Sequence, residues 1–297
     1  RRNDNRLNEA ITSFQAVVRD YPGTAEAREA VAVARSVYDD ANRIDDYLEW
    51  VQGMPASGIR ASELDSVAYM SAYDKYAQSQ YAPALDAFGK YLKRFPDGYF
   101  APEAQFQAAE CARLTGQMAQ ALPYYRSVVR GPVGANTVPA YKWLLRDAEL
   151  RKDWRETKSY AERVLALAED ASLRSEANRS MMRAHFAEGA LDVALTYAEG
   201  MVADQRQTPE DRSEALATRL RVLESQYRAN AGDSNRLGLW QSAAEQAIAD
   251  GTASVSAEAT YAKAQILRLR GQFSASNEVV FGLLDSYPAQ TEWRYKA

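Results

Sequence analysis

One spacing of apolar positions recurs along the chain: a large apolar residue, a small one three later, an apolar one four later and another four beyond. It reads Leu7, Ala10, Phe14, Val18, then Ile44, Tyr47, Val51, Pro55, then Tyr81, Ala84, Phe88, Leu92. It returns as Met118, Ala121, Tyr125, Val129, as Trp154, Thr157, Ala161, Leu165, and as Leu191, Ala194, Ala198, Val202. The copies start at 7, 44, 81, 118, 154 and 191, so successive differences are 37, 37, 37, 36 and 37. Two later copies start at Trp240 and Phe273, after steps of 49 and 33. Apolar residues at i, i+3 and i+4 mark one face of a helix, and a fixed period above 20 residues marks a repeat architecture.

A second helical pattern lies between the copies, over residues 64–78, 102–115, 140–151, 173–187 and 257–270. Gly116, Gly189 and Gly271 stand between the paired patterns as helix breakers. Each unit is therefore a hairpin of two short amphipathic helices. Neither helix buries its stripe alone, and stacked hairpins bury it continuously. The run "FPDGYFAPEA" at 95–104 reads as a junction between hairpins: Phe95-Pro96 stops one helix, and Pro102-Glu103 starts the next with Pro and a carboxylate in its first turn. Tyr21-Pro22 and Tyr287-Pro288 repeat the stop.

The period predicts an all-α, right-handed superhelical solenoid of about seven antiparallel helix hairpins over 1–297, with an extra helix at the N-terminal end. A flexible joint is expected at 53–61, and an insertion in the repeat spanning 209–251, with Arg228–Gly238 as a polar loop after an elongated helix. The chain opens on Arg1-Arg2-Asn3-Asp4 and closes on the start of another first helix, so it reads as a fragment of a longer array.

These residues resemble the tetratricopeptide repeat (TPR) family. The carriers are Tyr81, Ala84, Phe88 and Pro96; Gly116, Met118, Ala121 and Tyr125; and Gly271, Phe273 and Pro288. HEAT repeats have a similar period and lack this glycine–aromatic–alanine signature. The run "YAQSQYAPALDAFGKYLKRFPDGYFAPEAQFQAAECARLTGQMAQALPYYRSVV" is similar to TPRs of bacterial cell-envelope proteins, and to long multi-TPR proteins of Bacteroidetes-type bacteria. The resemblance implies a non-catalytic scaffold that binds a protein or peptide along a concave face, in a periplasmic or outer-membrane-associated complex. Two other readings stay open: a regulatory module of an enzyme, and a self-assembling structural array.

Composition trims these readings. With 36 basic and 40 acidic residues the net charge is −4, which gives no nucleic-acid footprint over the molecule as a whole. The apolar runs fall short of the roughly 20 residues that a membrane span needs. The single histidine, His185, has no second metal ligand at helical spacing, and packing is expected of it. Cys111 sits in a run of small residues and reads as a buried inert thiol. No Walker loop, dinucleotide-binding glycine pattern or nucleophile elbow is present, so no catalytic, cofactor or metal residue is assigned.

The resemblance implies that first helices line the concave surface. On them stand Tyr69, Tyr73 and Tyr76 at helical spacing, and further on Lys142 and Arg146, then Arg179 and Arg183, each pair four apart. Arg219 and Arg268 follow in corresponding helices. Tyrosine offers stiff contact area with a polar tip, and the basic pairs resemble a loose carboxylate clamp, which would suit an acidic partner. The alternatives are hairpin packing for two of the tyrosines, and solvated arginines beside Glu110, Glu149, Glu176 and Glu258.

Overall fold

The computed structural model describes residues 2–54 and 60–297, and the 55–59 part of the expected joint lies outside the described residues. Sixteen α-helices and no strand occur among the described residues. The chain divides into two compact units, residues 1–140 and 141–297, which are taken in turn.

In the first unit α1 (Arg2–Asp20) packs on α2 (Ala25–Asp40), which pairs with the short α3 (Ile44–Gln52). Two full hairpins follow, α4 (Ala61–Ala77) with α5 (Tyr81–Arg94) and α6 (Ala101–Leu114) with α7 (Met118–Arg130), and α5 also packs on α6. The small positions of the repeat lie where two helices approach most closely: Ala84 and Ala121 are wholly buried, as are Phe88 and Tyr125 one turn on. On α1, Leu7, Phe14 and Val18 are half-buried, while Ile11 is buried.

From α8 (Thr137–Leu150) onward the second unit holds α9 (Trp154–Leu167), α10 (Ala171–Ala187), α11 (Leu191–Ala203), α12 (Pro209–Ala229), α13 (Ser234–Asp250), α14 (Ala253–Leu269), α15 (Phe273–Ser286) and α16 (Thr291–Lys296). From α9 to α15, each helix packs on its successor. Thr157, Ala194, Ala243 and Ser276 occupy the small position and are buried. The two polar ones turn their hydroxyls back to backbone: Ser276 Oγ donates to Ala264 O at 2.8 Å and Thr157 Oγ1 to Asp153 O at 2.8 Å. A buried hydroxyl is tolerated there because it is hydrogen-bonded.

Left-handed residues set the hairpin turns. Asn42, Ser79, Gly116, Lys152, Gly189 and Gly271 all have φ between 54° and 77°. In each turn the next residue's N–H bonds to a carbonyl five residues back: Arg43 to Tyr38, Gln80 to Lys75, Gln117 to Ala112, Asp153 to Ala148, Ala190 to His185 and Gln272 to Leu267, at 2.7–2.9 Å. This is the helix-ending motif that satisfies orphan carbonyls with one left-handed residue. The motif therefore recurs in turns without glycine, where Asn42, Ser79 and Lys152 take up the strained conformation.

The insertion takes a form other than the expected one. Arg228–Gly238 is not an inserted loop: α12 runs on to Ala229, and Asp233 caps α13, accepting from the Asn235 and Arg236 amides. The extra residues lengthen both helices, to 21 and 17 residues. Their added turns pay off in burial, since Tyr227 stacks on the fully buried Trp240 at 5.8 Å, within a core that includes Met182, Leu216, Leu220 and Ile266.

Candidate protein-interaction surfaces

In the first unit, the three tyrosines of α4 separate into different roles. Tyr69 is 7% exposed and stacks on Phe100 at 4.4 Å, with Tyr91 and Phe88 around it, so it is a core residue and not a surface contact. Tyr76 is half-buried inside its own hairpin, edge-on to Tyr81 at 5.9 Å and Phe88 at 6.5 Å. Tyr73 alone reaches solvent, at 37% exposure. Periodicity put all three on one helix stripe, and a stripe that wide spans both the joint and the surface. A cavity of about 630 Å³ lies between α2 and α4, lined among others by Arg35, Tyr47, Val67, Met70 and Asp74.

In the second unit the expected cations are already engaged. Arg146 on α8 makes a two-pronged pair with Glu176 on α10, at 2.5 and 2.8 Å. Arg183 on α10 reaches back to Glu149 on α8 at 2.6 Å and forward to Glu214 on α12 with two 2.5 Å bonds. Arg179 pairs with Asp211. Arg221 on α12 grips Glu258 on α14 at 2.6 and 2.8 Å. The result is a ladder of ion pairs across successive first helices. Charge-assisted bidentate pairs are the strong members of their class. The hydrogen bonds to Glu176 raise Arg146 above the usual guanidinium range; those to Glu214, and then to Glu149, do the same for Arg183 against the cost of its burial. Glu258 does likewise for Arg221. Lys142 lies over the Trp143 ring at 5.7 Å.

The pairing corrects the carboxylate-clamp expectation. Arg146 and Arg183 spend their forks on the protein's own carboxylates, and Arg179 gives one nitrogen to Asp211 while its Nε is buried without a partner, so none offers an empty fork to an acidic ligand. Arg219 points elsewhere: it bonds Gln246 of α13, and its Nε is 4.0 Å from Glu199 of α11. The residues alone did not single out Arg221 and Glu214. A signal was present, because Arg146, Arg183 and Arg221 follow one another at 37 and 38 residues with a glutamate 30, 31 and 37 residues beyond each.

Beside the ladder lies a cavity of about 420 Å³ between α10, α12 and α14, with Phe186, Ala217 and Val255 among its apolar walls and Ser213, Thr218 and Thr252 among its polar ones. Arg183, Glu214 and Arg221 also line it. A second cavity, of about 350 Å³, continues between α12, α14 and α16, where Tyr261 and Trp293 meet at 5.9 Å.

His185 stacks on Tyr197 of its own hairpin at 5.9 Å, and burial, followed by nearby Lys158, lowers its pKa. Cys111 is fully buried, and burial pushes its thiol up to about 12, a range in which it is not a nucleophile at neutral pH. Among the described residues no group of three or more His, Cys, Asp and Glu is placed to hold a metal ion, and no helix is long and apolar enough to cross a membrane.

A tetratricopeptide-repeat family model matches residues 69–135, which hold α5, α6 and α7 and most of α4. The C-terminal part of a TPR repeat-containing protein from Cytophaga hutchinsonii has a similar structure: TM-score 0.54 and 12% identity, over 87% of this chain and 96% of that one. Over residues 69–135 the chain is similar to the tetratricopeptide-repeat family, and its whole fold is that of an all-α helical repeat. Two further solved structures align with this chain at lower scores. PilW, a type IV pilus biogenesis factor, has TM-score 0.43 and 16% identity over 78% of this chain and 98% of its own. A tetratricopeptide repeat protein from Parabacteroides merdae has TM-score 0.31 and 11% identity, over 89% and 91%. Comparison with curated proteins returns no match. At these identities the solved structures speak for the fold alone.

Proposed function

We propose that this protein is a non-catalytic scaffold that holds a peptide or protein segment along the first helices of its second unit. The observation that carries the reading is the cavity between α10, α12 and α14, where Phe186 and Val255 stand beside the hydroxyls of Ser213 and Thr218. Apolar walls with a few fixed polar groups suit a segment that inserts a side chain and bonds through its backbone. The neighbouring charges are internally neutralised, so shape and apolar contact decide the partner more than net charge does. The acidic-partner reading loses its basis in Arg146, Arg179 and Arg183 for the same reason.

The setting we infer is a bacterial envelope complex, supported by the likeness of the 76–129 run to envelope-type TPRs. Cell fractionation with an antibody to the intact protein tests that part. The binding reading is tested by recovering partners with the intact protein and with Phe186→Ser and Val255→Arg variants whose circular dichroism matches the parent. A specific partner should be lost from both variants. Equal recovery by parent and variants removes the groove from the account.

A further inference from the structure

A chain of four aromatic rings crosses the first unit from α4 to the loop before α6. Tyr73 stacks on Tyr69 at 6.0 Å, Tyr69 on Phe100 at 4.4 Å with planes 6° apart, and Phe100 meets Tyr99 edge-on at 4.9 Å. The inner two rings are packed, and the outer two reach solvent: Tyr73 is 37% exposed and Tyr99 83%. Tyr99 is presented from a fixed backbone, because its amide donates to Asp65 Oδ2 at 2.7 Å.

Four aromatic rings of this protein already carry one of its own cations. Arg43 lies over Tyr38 at 5.9 Å, Arg146 over Trp143 at 5.1 Å, Arg228 over Trp240 at 6.0 Å and Lys296 over Trp293 at 4.1 Å. None of these four cations lies over Tyr73 or Tyr99. Lys75, two residues after Tyr73, turns its Nζ to Ser71, and the other charges next to the two tyrosines in sequence are acidic. Asp74 follows Tyr73, and Asp97 and Glu103 flank the Tyr99–Phe100 end. Glu103 and Asp97 have no ion-pair partner among the described residues, and the Glu103 charge contributes to raising the Tyr69 pKa, after burial.

The geometry points to this ring chain as a docking surface for an arginine-bearing segment of a partner protein. Guanidinium groups stack on aromatic faces and take a carboxylate at their edge. The exposed rings of Tyr73 and Tyr99 supply the first element, and the unpaired Asp97 and Glu103 supply the second. Two arginines four residues apart in extended chain stand roughly 13–14 Å apart, so one short segment offers two guanidinium groups to the surface. The surface lies in the first unit and does not depend on the α10–α14 groove.

The test uses the intact chain and three fluorescein-labelled peptides in anisotropy titrations: Gly-Ser-Arg-Gly-Ser-Gly-Arg-Gly-Ser, the same peptide with both arginines replaced by glutamate, and a polyproline peptide of equal length. The arginine peptide should bind and the glutamate peptide should not. Tyr73→Ala and Tyr99→Ala should each weaken binding about two- to fivefold. Glu103→Gln should weaken it and flatten its dependence on salt. Tyr99 is surface-exposed, so its variant should keep the parent circular dichroism. The proposal is overturned by absence of arginine-peptide binding, by equal or tighter binding of either other peptide, or by arginine-peptide binding that Tyr99→Ala leaves unchanged.

Discussion

The Tyr91 hydroxyl on α5 donates to Asp65 Oδ1 on α4 across 2.5 Å, inside the protein. The other oxygen of Asp65 holds the Tyr99 amide, so one buried carboxylate ties a hairpin to the loop that leads to the next. Gly98 is part of the same arrangement: a Cβ there would stand 2.6 Å from the Tyr91 hydroxyl and 2.9 Å from Asp65 Oδ1. The run from Phe95 to Ala104 is thus shaped by a residue 30 positions upstream of its start as well as by its own prolines.

That relationship predicts a shared loss. Asp65→Ala leaves a buried hydroxyl and an amide without their acceptor and should cost about 2–3 kcal/mol. Gly98→Ala forces the same groups apart and should cost about 1–3 kcal/mol. The two effects should be less than additive, because each disrupts what the other needs. Urea denaturation of both single variants and the double variant measures this.

Alkali probes the same hydrogen bonds. Burial, then the hydrogen bond to a carboxylate, raises the pKa of Tyr91 with Asp65 and of Tyr125 with Glu110. A tyrosine whose folded pKa lies above its unfolded value of about 10 contributes fully below that pH. The contribution is lost as pH rises above 10 toward the folded pKa, because only the unfolded chain releases the proton. Stability should therefore fall above pH 10, and less steeply in Tyr125→Phe. Absorbance at 295 nm should show both tyrosines ionising together with unfolding. Early ionisation of Tyr91 and Tyr125 in the folded protein would refute the assignment.

The turns allow a prediction of opposite sign. Ser79 and Lys152 hold φ of 61° and 56° with a side chain attached, where the equivalent turns use Gly116, Gly189 and Gly271. The left-handed conformation costs an L-residue roughly 1–2 kcal/mol, and glycine gives back part of that through its looser unfolded chain. Ser79→Gly and Lys152→Gly should each raise stability by about 0.5–1 kcal/mol, while Gly116→Ala should lower it by about 1 kcal/mol. Thermal unfolding followed by circular dichroism checks all three.

The period was legible because it rests on volume. Ala84, Ala121 and Ala194 must be small wherever two helices touch, and all three are fully buried. What one helix stripe hides is which edge of it stays wet, and so Tyr69 and Tyr73 looked alike. The charge ladder was hidden for a different reason. Arg183 was compared with Arg179 on its own helix, whereas its partners, Glu149 and Glu214, lie 34 and 31 residues away on the neighbouring ones. Such pairs emerge only when positions are compared between repeats. Tyr73, Glu110, Arg146 and Arg183 each stand six residues before the left-handed residue of their turn. One place on the first helix therefore carries an aromatic, an acid and two bases along the chain, and local spacing cannot reveal how they combine.

The ladder itself should behave as a coupled set. Its members are part-exposed, Arg183 at 39% of its side chain and Glu214 at 32%, so solvent screens each contact and a single pair contributes roughly 0.2–1 kcal/mol. Arg183 serves two carboxylates, and removing it takes from Glu149 and Glu214 the cation they share, leaving Arg146 near the one and Arg221 near the other. Arg183→Glu should therefore cost more than Arg183→Met, by about 1–2 kcal/mol at low salt. The excess should shrink toward zero as salt approaches 1 M, where the screening length falls to about 3 Å. Restoring one cation opposite the new acid, as Glu214→Arg in the Arg183→Glu background, should recover part of the loss if the two side chains meet across α10 and α12. Denaturation midpoints of these variants at low and high salt give the answer. A charge-reversal cost that is equal for Arg183→Glu and Arg183→Met, or that is indifferent to salt, would show that the arginine contributes packing rather than charge.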